Sequence, residues 1–363
     1  MSRVLGRREL NRALLERQLL LRRRPLPAAA AIEHLVGMQA QSPLAPYAGL
    51  WARLDGFRPE ELSRLLLDRD AVRMTLMRGT IHLVSAADCL ALQPVLQPVS
   101  HRALLGSAFG RNLAGLDLDA LRAAGRALVE DRPRTVAELR RLLSERWPDR
   151  DPDSLGLGVR YLLPLVQATP RGVWGAAGPA ALTTVDAWLG RSPDGDAAPD
   201  RMVLRYLAAF GPASVADART WSGLGGLRAV FERLRARLRT FRDELGRELF
   251  DVPEGPLPGP DAPAPPRLLP EYDNALLSHA DRTRIIDPAY REPVFTRGSF
   301  LVDGFVRGAW TIERRRAGAT LLVEPFEPLP APERAALAGE AARLLDLAAG
   351  DAPARAVEIR AAS

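Results

Sequence analysis

Two glutamines, Gln39 and Gln41, stand where an apolar helical stretch runs into a proline, in Leu35-Val36-Gly37-Met38-Gln39-Ala40-Gln41-Ser42-Pro43. A primary amide offers a donor and an acceptor without charge, which suits it to orient a water molecule or to read the edge of a base. In a continuing helix, residues i and i+2 point to different sides; in an extended exit they share a face. Ser42 precedes proline and is biased away from helical dihedrals, so the helix is expected to end at the motif. The two amides converge on one ligand only if the chain leaves the helix there. The alternative is a polar helix end whose amides satisfy the last helical carbonyls.

Other side chains bear chemistry too. His82 lies in an alternating stretch, Thr80-Ile81-His82-Leu83, and either faces a cleft and contacts DNA or water, or makes a structural hydrogen bond. Glu271, Asp273 and Asn274 form a carboxylate-rich cluster of the kind glycosidases use in pairs, but their place at a strand-to-turn junction suits turn capping. Asp281-Arg282 and Arg284 read as a loop carrying a salt bridge or phosphate contacts. Trp51, Trp174, Trp188 and Trp310 are expected in cores, as is Cys89 beside Leu90 and Leu92. Arg314-Arg315-Arg316 reads as a solvated turn.

Composition narrows the classes. The chain has 363 residues, enough for two or three domains, and a net charge of +6 with a pI near 10.2. Every basic residue is Arg; with Lys absent, a lysine Schiff-base step is closed, leaving only the N-terminal amine. The positive balance is compatible with nucleic acid without requiring it. One cysteine excludes an intramolecular disulfide and fits a reducing compartment. The four histidines are scattered, so no metal site and no cofactor are expected. No signal peptide or membrane-length apolar run is present, and a cytoplasmic protein is expected.

The elements that position these residues recur. Amphipathic helices over 7–21 and 28–39, a helical piece over 47–54 and a helix from Pro59 to about Asp70 lead into Val72–Leu76 and Thr80–Val84, which flank Met77-Arg78-Gly79 as a β-hairpin. Helices followed by a hairpin form the winged-helix pattern. A second copy comprises 119–129, a capping box at Thr135–Glu138 and a helix over 153–165. It closes with strands Val166–Thr169 and Val173–Trp174 around Pro170-Arg171-Gly172. A third runs from Met202–Phe210 through Gly211-Pro212, a cap at Ser214–Asp217 and Leu224–Leu234 to strands around Leu245-Gly246-Arg247. The turn glycines 79, 172 and 246 are 93 and 74 residues apart, too irregular for a solenoid but suited to three domain-sized copies.

A Pro/Gly/Ala-rich linker covers 253–266. Short strand-like runs follow at 267–277, 284–286, 300–302, 305–312 and 319–323, read as a small barrel or sandwich, and a helix over 332–347 closes the chain. The expected fold is α+β, mainly α: winged-helix units at 1–115, 116–198 and 199–252, a linker at 253–266 and a β-barrel-like domain at 267–363. No dimerisation helix stands out, so a monomer is expected.

Gln39-Ala40-Gln41, Arg78-Gly79-Thr80-Ile81-His82, Phe210-Gly211-Pro212-Ala213, Leu269-Pro270-Glu271-Tyr272-Asp273-Asn274 and Val302-Asp303-Gly304 together resemble the AlkZ/YcaQ-like family. These are bacterial DNA glycosylases of tandem winged helices with a C-terminal β-barrel, and the motifs run in the family's order over nearly the whole chain. The resemblance implies catalysis by Gln39 and Gln41. With Gln rather than Asp at the third position, it points to the branch that removes bulky alkylpurines and interstrand crosslinks in self-resistance. It implies double-stranded DNA as partner, with Arg78, Thr80 and His82 of the first hairpin, Arg171 of the second and Arg282 touching DNA. Alkylation at N7 makes the purine a cationic leaving group, and the sugar passes through an oxocarbenium-like state. Amide oxygens suit that charge and an oriented water; as poor bases, they should leave unmodified purines intact. A non-catalytic winged-helix DNA binder is the alternative, and a protein binding the free drug is a third reading.

Overall fold

Glu9 reaches back to accept from the backbone N–H of Gly6 at 2.9 Å, and this one-sided cap starts the helix Arg7–Arg17. The computed structural model describes residues 3–193, 195–290 and 297–362, and the chain divides into two compact units. One comprises Met1–Arg58, Asp200–Trp221 and Leu227–Ser363, the other Pro59–Pro199 and Ser222–Gly226.

In the first unit, the helix Arg7–Arg17 buries polar anchors as well as leucines. Arg17 makes a two-pronged pair with the buried Asp251 at 2.6 and 2.9 Å, and Asn11 donates to the carbonyls of Arg284 and Gly304. Such forked, desolvated pairing suits Arg better than Lys. Helices Ala28–His34, Ala45–Arg53 and Asp200–Phe210 follow in sequence. Tyr206, Phe210 and Trp221 cluster with ring centroids 4.9–5.8 Å apart. The expected hairpin around Gly246 is present as Arg239–Asp243 paired with Glu248–Asp251, with Gly246 in the left-handed region at φ 77°. Val4–Leu5 adds to it in parallel, a pairing the local pattern does not show.

Among the described residues, the C-terminal strands do not close into a barrel. They form an open five-stranded sheet in the order Arg355–Ile359, Gly318–Pro325, Phe305–Arg315, Gly298–Val302, Arg267–Leu269. The ring of Trp310 lies over Gly298, where a Cβ would come within 2.2 Å of it, and its indole N–H donates to the carbonyls of Leu269 and Ser299. The helix Ala331–Ala349 does not end the chain. It returns to the last strand, which pairs in parallel with Gly318–Pro325. Residues 284–286 are not a strand either; Ile285 and Ile286 donate back to the carbonyl of Arg282 in a turn.

In the second unit, Ala71–Thr75 and Ile81–Ser85 form the first expected hairpin, with Met74 opposite His82. Leu165–Gln167 pairs on the other side of Ala71–Thr75, through Met74 and Val166. Its own partner is Leu182–Thr184 and not Val173–Trp174. That correction has a local cause: turns occupy 169–175 and Gly172 and Gly175 hold positive φ, so the return strand is delayed. The helix Ala86–Leu105 has no counterpart in the sequence reading, because Pro94 and Pro98 interrupt its pattern. The capping box at Thr135–Glu138 opens the helix Val136–Arg146 as expected. Leu121, Val129, Leu139, Leu143, Leu155 and Val159 form the core between its helices.

Candidate active-site cleft

The helix before the glutamine motif ends earlier than Pro43 demands. It stops at His34, and Val36 and Gly37 reverse the chain at φ 55° and 83°. Gly37 takes this conformation at no steric cost. Met38–Gln39 is then a short strand, so Gln39 has left the helix, but the strand stops there and Gln41 lies beyond it in a bend. Gly49 of the helix Ala45–Arg53 makes room for it: a Cβ there would lie 2.5 Å from the Met38 methyl.

Gln39, 8% exposed, lines a small cleft of about 10 Å³ together with Gln18, Met38, Arg53, Asp273 and Asn274. Arg53 and Asp273 face each other as a forked ion pair at 2.7 and 2.8 Å, with side chains only 1% and 2% exposed. Arg53 also donates to the Gly49 carbonyl at 3.0 Å, and Asp273 caps the short helix Asn274–Leu277 by accepting from Ala275 N–H at 2.9 Å. The structural reading of the Glu271–Asn274 cluster holds for Asp273. Asn274 goes further, because its amide donates to the Gly37 carbonyl at 3.1 Å and ties the turn before the motif. Tyr272, at φ 59°, is a bulky residue in a costly conformation that turns the chain into this contact.

The glutamines part company here. Gln39 is in the cleft wall, whereas Gln41 is exposed and outside it. The cleft can therefore present neutral amides beside a charge pair that is internally compensated. Such walls orient a small polar guest without attracting an ion.

Arg78, Thr80 and His82 share the hairpin of the second unit. Arg78 sits half-buried at its tip, φ 57°, beside Gly79 at 72°. The Thr80 hydroxyl donates to the Met77 carbonyl at 3.1 Å. Of the two placements open to His82, the structure shows the structural hydrogen bond. The side chain is fully buried, and its Nδ1–H donates to the Thr80 carbonyl at 3.0 Å. Burial first, and the Arg78 charge second, push its pKa down to about 3, so it is neutral at pH 7 and offers no surface to DNA. The strand alternation that suggested a cleft-facing His82 applies to sheets with one solvated face; this strand is buried on both.

Arg171 is half-buried and donates to the Gly178 carbonyl at 3.1 Å. Arg282 lies half-buried in a loop whose neighbour Asp281 pairs with Arg247 at 2.7 Å, with burial opposed by bonds from Thr283 and Arg247 that hold its carboxyl below the usual range. Arg284 is buried and donates to the Pro212 carbonyl. Trp51 and Trp310 are buried, while Trp174 and Trp188 are half-buried, Trp188 under the Arg69 guanidinium. Cys89 is buried, its thiol pushed up to about 12 by desolvation and by Asp88. Among the described residues no group of three His, Cys, Asp or Glu side chains is placed to hold a metal ion, and no helix is long and apolar enough to cross a membrane.

Sequence reasoning missed Gln18 and Arg53. Both sit in helical stretches where a buried polar side chain looks like any surface one, and their partners, Ala209 and Asp273, are 191 and 220 residues away.

The fold is similar to that of the DNA glycosylase AlkZ of Streptomyces sahachiroi, at 21% sequence identity and a TM-score of 0.74, over 98% of this chain and 100% of that one. A comparison with the curated proteins finds no match. A family model described as DNA glycosylase AlkZ-like matches residues 32–347, from the helix that delivers Gln39 to the last helix of the C-terminal sheet. With most of its length inside that match, the chain belongs to the AlkZ-like DNA glycosylase family.

Proposed function

We propose that this protein is a monofunctional DNA glycosylase that hydrolyses the N-glycosidic bond of N7-alkylated purines, bulky or crosslinked, in repair or in self-resistance to a DNA-alkylating natural product. The observation that carries the reading is Gln39 in the wall of a small cleft between neutral amides and a compensated ion pair. A cationic purine needs no proton to leave. The site has to hold a water molecule on the opposite face of the sugar and to place electron-rich oxygens near the oxocarbenium-like C1′. Gln39 does this from the cleft wall, and Gln41, exposed beside it, meets the lesion from outside. A neutral amide is a poor general base, so selectivity for cationic lesions comes from the leaving group as much as from the walls.

Double-stranded DNA is bound by a monomer through phosphate contacts, with Arg78, Thr80, Arg171 and Arg282 as contributors. The chain has no Lys, so abasic sites are left uncut by any lysine-dependent lyase step. The protein acts in the cytoplasm, on the nucleoid.

The test is base release from a duplex carrying one N7-alkylguanine, followed by alkali to cut abasic sites. Wild type should release the base, and Gln39→Ala should lose roughly 10²-fold or more in rate with DNA binding kept. Release that survives both Gln39→Ala and Gln41→Ala would move the chemistry elsewhere. Absence of release from small and bulky adducts alike would leave a non-catalytic DNA-binding protein.

A further inference from the structure

Three buried polar atoms on residues lining the Gln39 cleft have no partner among the described residues: Oε1 of Gln18, Oδ1 of Asn274 and Nε of Arg53. Gln18 is fully buried and Asn274 is 5% exposed. Their amides cannot be turned over freely. Nε2 of Gln18 donates to the Ala209 carbonyl at 2.7 Å, and Nδ2 of Asn274 donates to the Gly37 carbonyl at 3.1 Å. A carbonyl only accepts, so a flip would set oxygen against oxygen; both side-chain oxygens are therefore held as acceptors.

A buried acceptor left unsatisfied is costly, and a polar site of this kind commonly holds an ordered water. Two acceptors and a donor beside one small cleft match the two protons and one lone pair of a water molecule. An anion would face two carbonyl oxygens. A cation would face Arg53, whose charge Asp273 already compensates.

We propose that Gln18 and Asn274 are positioning residues that hold one water molecule beside Gln39, taking both its protons in hydrogen bonds and leaving a lone pair for attack on C1′. The role in catalysis rests on the glycosylase reading above. The Arg53 Nε–H occupies one lone pair and the other is free. It forms the C1′–O bond as the C1′–N9 bond breaks; the electrons of that bond pass to the purine and cancel its positive charge. The surplus proton on the new sugar hydroxyl goes to bulk water.

The test uses the full-length protein in single-turnover base release from a duplex carrying one N7-methylguanine. Wild type, whose water faces two neutral amide oxygens and the Arg53 guanidinium paired with Asp273, should show a flat rate across the range where an unpaired carboxylate titrates. Asn274→Asp puts a carboxylate at the acceptor position and should give a rate that rises as it ionises, with DNA affinity unchanged. Gln18→Glu supplies the same test from the other oxygen should Asn274→Asp not fold. Gln18→Met should lower kcat by roughly 10²-fold at constant KM. A pH-independent loss in both carboxylate variants, or a change confined to KM, would overturn the positioning role. A diffraction study of the free wild-type protein tests the site without activity: one water within hydrogen-bond reach of both oxygens supports it, and its absence overturns it. Failure of wild type to release base would instead sink the glycosylase reading, with the water site still decided by diffraction.

Discussion

Removing the carboxylate of Asp273 should destabilise the protein far more than removing a surface charge. Asp273 and Arg53 are joined by two hydrogen bonds of 2.7 and 2.8 Å, and neither side chain is more than 2% exposed. Asp273→Ala leaves the Arg53 guanidinium buried without a counter-charge and also strips the cap from Asn274–Leu277. Breaking one side of a buried pair costs about 3–5 kcal/mol, whereas replacing both partners by apolar groups is often close to neutral. The double variant Arg53→Met/Asp273→Ala should therefore recover much of the loss. The assay is a double-mutant cycle by urea unfolding, with base release measured on each variant, because the pair also walls the Gln39 cleft. A single-variant cost below about 1 kcal/mol, the range of exposed pairs, would refute the reasoning. So would a double variant whose loss equals the sum of the singles.

His82 yields a pH prediction. Its folded pKa, about 3, lies below the ordinary 6.5, so between those values the unfolded chain binds the extra proton and stability falls as pH drops. The slope should approach about 1.4 kcal/mol per pH unit below 6 for this group, and His82→Gln should flatten urea-midpoint profiles there; an unchanged acid limb would place the loss elsewhere. For DNA, Arg78→Ala and Arg171→Ala should each weaken binding of damaged and undamaged duplex alike and reduce the salt dependence of log Kd by about one phosphate contact. A loss confined to one DNA sequence would contradict a phosphate role.

Much of this chain is legible locally. The hairpins at 71–85 and 239–251 follow from alternating apolar residues around turn glycines, and the helix Val136–Arg146 begins at a capping box visible in Thr135-Val136-Ala137-Glu138. These features depend on neighbours within a few residues, which is the range a sequence pattern reports. The proline-containing helix Ala86–Leu105 was not legible because it runs on through its own local breakers, and the return strand Leu182–Thr184 was not because the turns over 169–175 extend past the expected strand.

The sequence by itself determined that the helix ends before Pro43, that no lysine chemistry is available and that Asp273 and Asn274 stand at a turn. Tertiary structure decided what those residues meet. It separated Gln39, in the cleft wall, from Gln41, outside it. It buried His82, and it brought Arg53 against Asp273 across 220 residues of chain and Asn274 against Gly37 across 237. It also left the C-terminal sheet open and added Arg355–Ile359 to its edge. The physical reason is common to all of these: whether an amide, a charge or an imidazole is solvated or buried depends on which distant backbone covers it, and local periodicity carries no record of that partner.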